Sequence, residues 1–147
     1  MRESGAAFFT SLTLHSLAMA LVVGINLAVA FRLLGVAPGI ALGPLIRFYT
    51  LHWYAAVAIF LSGLALLLAY PAKALTNPVF YLKLSALATG LVLARKIQST
   101  VSKESLMVSG RQLQWIAGFS IALWVITITA GRFLAYTHSV LLASRFF

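Results

Sequence analysis

Cysteine is absent from this sequence, and acidic residues are nearly absent. The lack of cysteine in 147 residues excludes disulfides, iron–sulfur clusters, thiolate copper sites and the C-x-x-C-H attachment of c-type haem. The two acids, Glu3 and Glu104, leave the apolar segments without a carboxylate for proton transfer, and no nucleophile stands beside a base. These absences predict that the protein is not an enzyme and that any metal is bound by His, Met or oxygen.

Charge is scarce altogether, at 9% of residues against 62% apolar ones, and the mean hydropathy is +1.00. In a soluble domain about a quarter of the residues are charged. Residues 4–31, 48–72 and 112–131 carry no charge, and each stretch is long enough to cross a hydrocarbon core of about 30 Å. This composition predicts an integral membrane protein in a lipid bilayer.

Turn and cap residues divide the chain into four helices. Pro44 and Pro71 mark the two ends of the second helix, Asn77 and Pro78 open the third, and the capping-box spacing from Ser109 opens the fourth. The predicted helices cover residues 7–34, 44–70, 78–95 and 110–136, and a tail to residue 147 continues as an interfacial helix. Short links make neighbouring helices antiparallel, so the predicted fold is all-α, a single-domain antiparallel four-helix bundle.

Basic residues are shared unequally between the two ends of such a bundle. One end carries Arg32, Arg47, Arg95, Lys96, Lys103 and Arg111. The other end carries Arg2, Lys73 and Arg145. The positive-inside rule therefore places the first end in the cytoplasm and both termini outside it, in a bacterial inner membrane. Because the basic residues flank apolar segments, where they meet lipid headgroups, nucleic-acid binding is not predicted.

Three basic side chains within the helices form the candidate site. His15 lies about two turns into the first helix, Lys83 about a turn and a half into the third, and Arg132 near the end of the fourth. Alternating helix directions place them in the extracytoplasmic half, together with Tyr136 and His138. With no acid to neutralise it, this cluster predicts an anionic or acceptor ligand: haem propionates, a lipid phosphate or a quinone.

The alternative is that Lys83 and Arg132 extend to the headgroups, while a hydroxyl such as Ser16 or Thr13 satisfies His15. A histidine also allows metal functions. His15 would serve as the axial ligand of a b-type haem, alone, with His138 or with a partner subunit. His52 starts near the other membrane face and cannot share one haem with His15. Met19, one turn after His15, adds a copper ligand and with it the alternative of copper permeation.

Small residues recur at i, i+4 spacing on two helices, and this pattern predicts close helix packing. They are Ser16, Ala20, Gly24 and Ala28 on the first helix, and Thr127, Gly131 and Ala135 on the fourth. The leading interpretation is a non-catalytic subunit that packs these faces against other subunits of a larger membrane assembly, one in electron transport. A self-contained b-type cytochrome is the main alternative.

Several stretches also carry a family resemblance. They are residues 62–68 (SGLALLL), 71–83 (PAKALTNPVFYLK), 123–124 (LW) and 130–136 (AGRFLAY), with a histidine early in the first helix. The chain resembles an uncharacterised family of small bacterial four-helix inner-membrane proteins, which are distantly similar to the membrane domains of copper-resistance D proteins and b-type cytochromes. The resemblance covers most of the chain and implies the four-helix fold, with His15, Lys83 and Arg132 at motif positions. The family usually has an acid near the end of the first helix; this chain has Asn26 and Arg32 there, which disfavours an ion-conducting role.

A reporter fused after Phe147 tests the predicted orientation. We expect an alkaline phosphatase fusion to be active and a fluorescent-protein fusion to be dark, because the basic residues listed for the cytoplasmic end outnumber those at the other end. The same reporters fused after Pro38, in the first link, should behave in the opposite way. A phosphatase that is inactive after Phe147 and active after Pro38 would reverse the placement of His15.

Overall fold

The structure is a computed structural model that describes residues 5–102 and 110–143, with the side chains of all of these except 73 and 135–143. Its elements are α1 (Gly5–Leu33), α2 (Leu42–Ala69), α3 (Pro71–Leu75), α4 (Pro78–Ser102) and α5 (Gly110–Ala143). Except for the short α3, each helix contains a segment long and apolar enough to cross a membrane. The predicted all-α four-helix membrane fold is confirmed.

Local sequence explains where the helices begin and end. Gly35, with φ of 81°, follows α1 and allows the backbone N–H of Val36 to bond to the carbonyl of Phe31, as in a Schellman motif. Proline at position 71 separates α2 from α3. Asn77 Oδ1 accepts a hydrogen bond of 3.0 Å from the backbone N–H of Val79 and so caps α4.

The third and fourth long helices extend several residues beyond their predicted ends at residues 95 and 136, whereas the other boundaries differ by no more than two residues. The third long helix does not end at Arg95 but continues to Ser102, because the segment contains no Gly or Pro and Ile97 is buried against α1 and α2. The last helix continues without a break to Ala143. Ser109, the predicted cap of this helix, and residues 144–147 of the predicted interfacial tail lie outside the described residues.

The bundle consists of two antiparallel hairpins, because α1 packs mainly on α2 and α4 mainly on α5. The hairpins meet chiefly along α1 and α5, and Trp53 Nε1 of α2 donates a hydrogen bond of 2.9 Å to Gln98 Oε1 of α4. At the end where α1 and α4 finish, the described basic residues are Arg32, Arg47, Arg95, Lys96 and Arg111. We call this the basic end and the other the opposite end.

The bundle interior contains two apolar clusters. The central one consists of Ala18, Val22, Val23, Ala55, Ile59 and Trp124. The other lies towards the basic end and consists of Val29, Tyr49, Ala94 and Ile97. Trp124 of α5 is the largest fully buried side chain among the described residues. It packs with residues of α1 and α2 and lies against Gly90 of α4, so all four long helices meet at this indole ring.

The first three small residues of the predicted α1 stripe face away from the bundle interior, and the fourth, Ala28, is half-buried. Ser16, Ala20 and Gly24 are exposed, since the opposite face of α1 supplies the buried Val22 and Asn26. Their i, i+4 spacing is typical of a helix-packing interface, but the spacing does not show whether the partner helix belongs to the same bundle or to another protein.

The shorter stripe on α5 behaves as predicted where the structure describes it. Thr127 is buried, and Gly131 lies against Lys83 of α4. The side chain of Ala135 lies outside the described residues. This stripe therefore serves packing within the bundle, unlike the one on α1.

Replacing Gly90 with alanine tests the close approach of α4 and α5. A methyl group at this position would lie 3.2 Å from Cζ2 of Trp124, whose ring is fully buried. We expect Gly90→Ala to lower the free energy of unfolding by about 1–3 kcal/mol, the usual cost of overpacking a core. The measurement is reversible unfolding in detergent micelles, followed by circular dichroism.

Gly24→Ala is the matched control, because a methyl group there has no atom within 4 Å. Replacing a glycine within a helix should leave this variant as stable as the wild type, or more stable by up to about 1 kcal/mol. Equal stability changes in the two variants would contradict tight packing between Gly90 and Trp124.

Candidate functional site

The side chain of Lys83 extends from α4 between α1 and α5. Its Nζ lies 3.5 Å from Nε2 of His15 on α1. Because α1 and α4 are not packed extensively on each other, this hydrogen bond spans the interior of the bundle. Gly131 of α5 makes room for the lysine stem, since a methyl group built there would lie 3.6 Å from both Cε and Nζ. Two helices thus hold the lysine nitrogen near the opposite end.

His15 is positioned by α2. Its Nδ1 lies 3.0 Å from Oγ of Ser62, and that Oγ lies 2.5 Å from the carbonyl oxygen of Ala58. A glycine at position 63 allows the imidazole to approach α2, because a methyl group there would lie 3.3 Å from Cε1 of His15. The Ser62–Gly63 pair therefore provides both a hydrogen-bond partner and the space for the ring.

The hydrogen bonds form a chain in which each group donates to the next, from Lys83 through His15 and Ser62 to the carbonyl of Ala58. The Ser62 hydroxyl donates to the Ala58 carbonyl, so its oxygen is left to accept from the Nδ1–H of His15. With its proton on Nδ1, the ring presents Nε2 as the acceptor for Lys83. This assignment of the tautomer follows from the network of partners around the ring.

This network bears on the metal functions predicted for His15. Both ring nitrogens already have partners, so iron or copper bound at His15 would replace either Lys83 or Ser62. Met19 packs against the central apolar cluster. Among the side chains that the structure describes, no group of three or more His, Asp or Glu is placed to hold a metal ion. Metal binding at His15 stays a prediction.

Of the other predicted site residues, the structure describes one side chain. Arg132 is exposed and directly follows Gly131, the residue against which Lys83 lies. No hydrogen bond among the described side chains joins Arg132 to His15 or Lys83. Tyr136 and His138 belong to α5, but their side chains lie outside the described residues. The structure thus brings His15 and Lys83 together and leaves Arg132 at the adjacent surface.

Sequence reasoning missed the hydroxyl that satisfies His15. The expected partners, Ser16 and Thr13, are exposed residues of α1, whereas the observed partner is Ser62 of α2. A usable signal was present, because Ser62 is the one hydroxyl-bearing side chain between Tyr54 and Ala69, in an otherwise apolar stretch. A second set of polar residues, with His52 at its centre, is buried nearer the basic end and was also not predicted as a group.

No protein-family model, curated protein sequence or solved structure matches the chain. The resemblance to small four-helix membrane proteins therefore stays a prediction.

Replacing Ser62 with alanine tests the direction of the hydrogen-bond chain. In the wild type we expect the ¹⁵N spectrum of His15 to show a proton on Nδ1. Ser62→Ala removes the acceptor of that proton, so it should alter the His15 spectrum and lower the free energy of unfolding by about 1–3 kcal/mol. The measurements are solid-state NMR in bilayers and unfolding in detergent.

Ser85→Ala provides a comparison on α4, where the exposed hydroxyl bonds only to the carbonyl of Leu82. This variant should keep the His15 spectrum and change stability by no more than about 0.5 kcal/mol. A wild-type spectrum with the proton on Nε2 would show that the chain runs in the other direction.

Proposed function

We propose that this protein is a non-catalytic membrane subunit that binds an anionic group at the His15–Lys83 pair. The observation that carries the proposal is the position of Lys83 Nζ, inside the bundle and 3.5 Å from His15 Nε2. In a bacterial inner membrane with the basic end in the cytoplasm, the pair would lie in the extracytoplasmic half.

The electrostatic environment favours an anion at this position. A lysine ammonium is costly in a medium of low dielectric constant unless an opposite charge or strong acceptors lie beside it. His15 contributes one acceptor nitrogen, and both acids of the chain, Glu3 and Glu104, lie outside the described residues. The described residues contain no carboxylate side chain, and a bound anion would provide an opposite charge beside Lys83.

Arg132 favours a lipid phosphate as that anion. Its exposed side chain follows Gly131 directly and lies near the end of the apolar segment Gly110–Leu134, where a lipid headgroup could reach both Arg132 and Lys83. An exposed cation next to a partly buried one suits a phosphate attached to acyl chains. Haem propionates are a narrower form of the same proposal, and a quinone carbonyl is a neutral acceptor that would take the place of the anion. A haem bound through His15 itself would replace either Lys83 or Ser62 as a partner of the ring.

The proposal includes a larger membrane assembly, for which the outward face of α1 is the support. Ser16, Ala20 and Gly24 are exposed at i, i+4 spacing, and small side chains allow another helix to approach closely. Electron transport is the narrowest form of this proposal and is supported by the histidine within the membrane. Copper permeation has weaker support, because Met19 packs in the core.

The lipid-binding proposal is tested by native mass spectrometry of the protein from bilayers that contain phosphatidylglycerol and phosphatidylcholine. We expect wild type to retain phosphatidylglycerol preferentially and Lys83→Leu to lose this preference. A charge-assisted hydrogen bond is worth about 1.5–3 kcal/mol, or about 10- to 100-fold in affinity. Lys96→Leu is the matched control, since Lys96 is an exposed lysine of the same helix.

The same preparations separate the alternatives. Masses heavier than one chain after gentle solubilisation of native membranes would support an assembly, whereas a free bundle alone would count against it. A Soret band that shifts on reduction would identify the anionic group as haem. Equal loss of phosphatidylglycerol from the Lys83 and Lys96 variants would overturn the anion site.

A further inference from the structure

A second polar layer lies inside the bundle, and it is separate from the His15–Lys83 site. Four side-chain atoms in this layer are buried and have no hydrogen-bond partner among the residues that the structure describes. They are Nδ1 and Nε2 of His52, Oγ of Ser120 and Nε1 of Trp124. All three side chains are 0% exposed. The ring of His52 forms T-shaped contacts with the rings of Tyr49 and Trp53, and neither of these residues bonds to its nitrogens.

Helix register places these three residues within about one turn of one another along the bundle. Trp124 of α5 belongs to the same packed cluster as Ala55 of α2. His52 precedes Ala55 by one turn, and Ser120 precedes Trp124 by one turn. Because α2 and α5 both begin at the basic end, His52 and Ser120 are displaced from the cluster in the same direction. Both residues therefore lie about one turn from that cluster, towards the basic end.

The other two long helices supply one polar and one apolar residue at this level. Asn26 of α1, 2% exposed, donates to the carbonyl of Val22 at 2.8 Å, and its Oδ1 lies 3.5 Å from the hydroxyl of Tyr49. Ala94 of α4 is fully buried and contributes only a methyl group. All four long helices thus contribute a buried residue to this layer. Only some of its polar atoms have a hydrogen-bond partner among the described residues.

Leaving polar atoms without a hydrogen-bond partner at this depth is unfavourable in free energy. Each buried donor or acceptor without a partner costs about 1–3 kcal/mol, and in a membrane the unpaired atom has no bulk water nearby. Four such atoms in one layer therefore point to a bound partner.

The chemistry of the four atoms specifies that partner. Trp124 Nε1 can only donate, the Ser120 hydroxyl both donates and accepts, and a neutral imidazole offers one donor and one acceptor. An anion accepts hydrogen bonds but donates none, and a metal ion cannot bond to an indole N–H. A small neutral molecule that donates and accepts meets all these requirements, and water is the smallest.

We propose that the bundle binds water between His52, Ser120 and Trp124. The apolar cluster around Trp124 separates this water site from the His15–Lys83 pair, so the two polar layers are distinct sites. The proposal does not depend on anion binding at Lys83.

Water-edited solid-state NMR of the wild-type protein in bilayers tests this site. We expect magnetisation to pass from water to the ring nitrogens of His52 and to the indole nitrogen of Trp124. The backbone amides of Val22 and Ile59, which belong to the neighbouring apolar cluster, should receive none. Wild-type spectra are sufficient for this result, so it does not rely on a variant that must fold.

Ser120→Ala then tests whether the serine holds the water. The transfer to His52 should be lost or reduced, whereas Thr129→Ala should leave it unchanged, because the exposed Thr129 hydroxyl bonds to the carbonyl of Val125. The proposal is overturned if the His52 ring receives no magnetisation while the exposed Arg111 side chain does. It is equally overturned if the spectra show His52 bonded directly to another side chain.

Discussion

The hydrogen bond between His15 and Ser62 is the contact on which the candidate site depends. At 3.0 Å it fixes the imidazole against α2, and because the serine proton goes to the Ala58 carbonyl, it also decides which ring nitrogen faces Lys83. Without this orientation the lysine would lack its acceptor from α1. One hydroxyl in an apolar helix thereby connects α2 to His15 of α1 and leaves the Nε2 of that ring to accept from Lys83 of α4.

Two of the polar clusters inside this bundle lie on either side of an apolar cluster. His15, Ser62 and Lys83 form the layer near the opposite end, and His52 and Ser120 belong to the layer nearer the basic end. The cluster around Trp124 lies between the two layers. Since the hydrocarbon around the bundle offers no hydrogen bonds, each layer has to find its partners inside the protein.

The proposed role is the binding of a ligand, and two features of the described residues support it. The described residues place a lysine nitrogen beside a histidine acceptor, and the two acids of the chain lie outside them. The exposed small residues of α1 add a surface that a neighbouring helix would fit. Both features agree with a subunit that retains a ligand and packs beside other membrane proteins.

The sequence by itself determined the four membrane helices, the boundaries at Gly35 and Asn77, and the half of the bundle that contains His15 and Lys83. Charge gaps and caps act within one segment, so they can be read locally. Only the tertiary structure decided that Ser62 is the partner of His15 and that Gly24 faces outward. The reason is physical: lipid-facing and core-facing sides of these helices are both apolar, so hydropathy does not set the rotation of a helix about its axis, and packing against the neighbouring helices does.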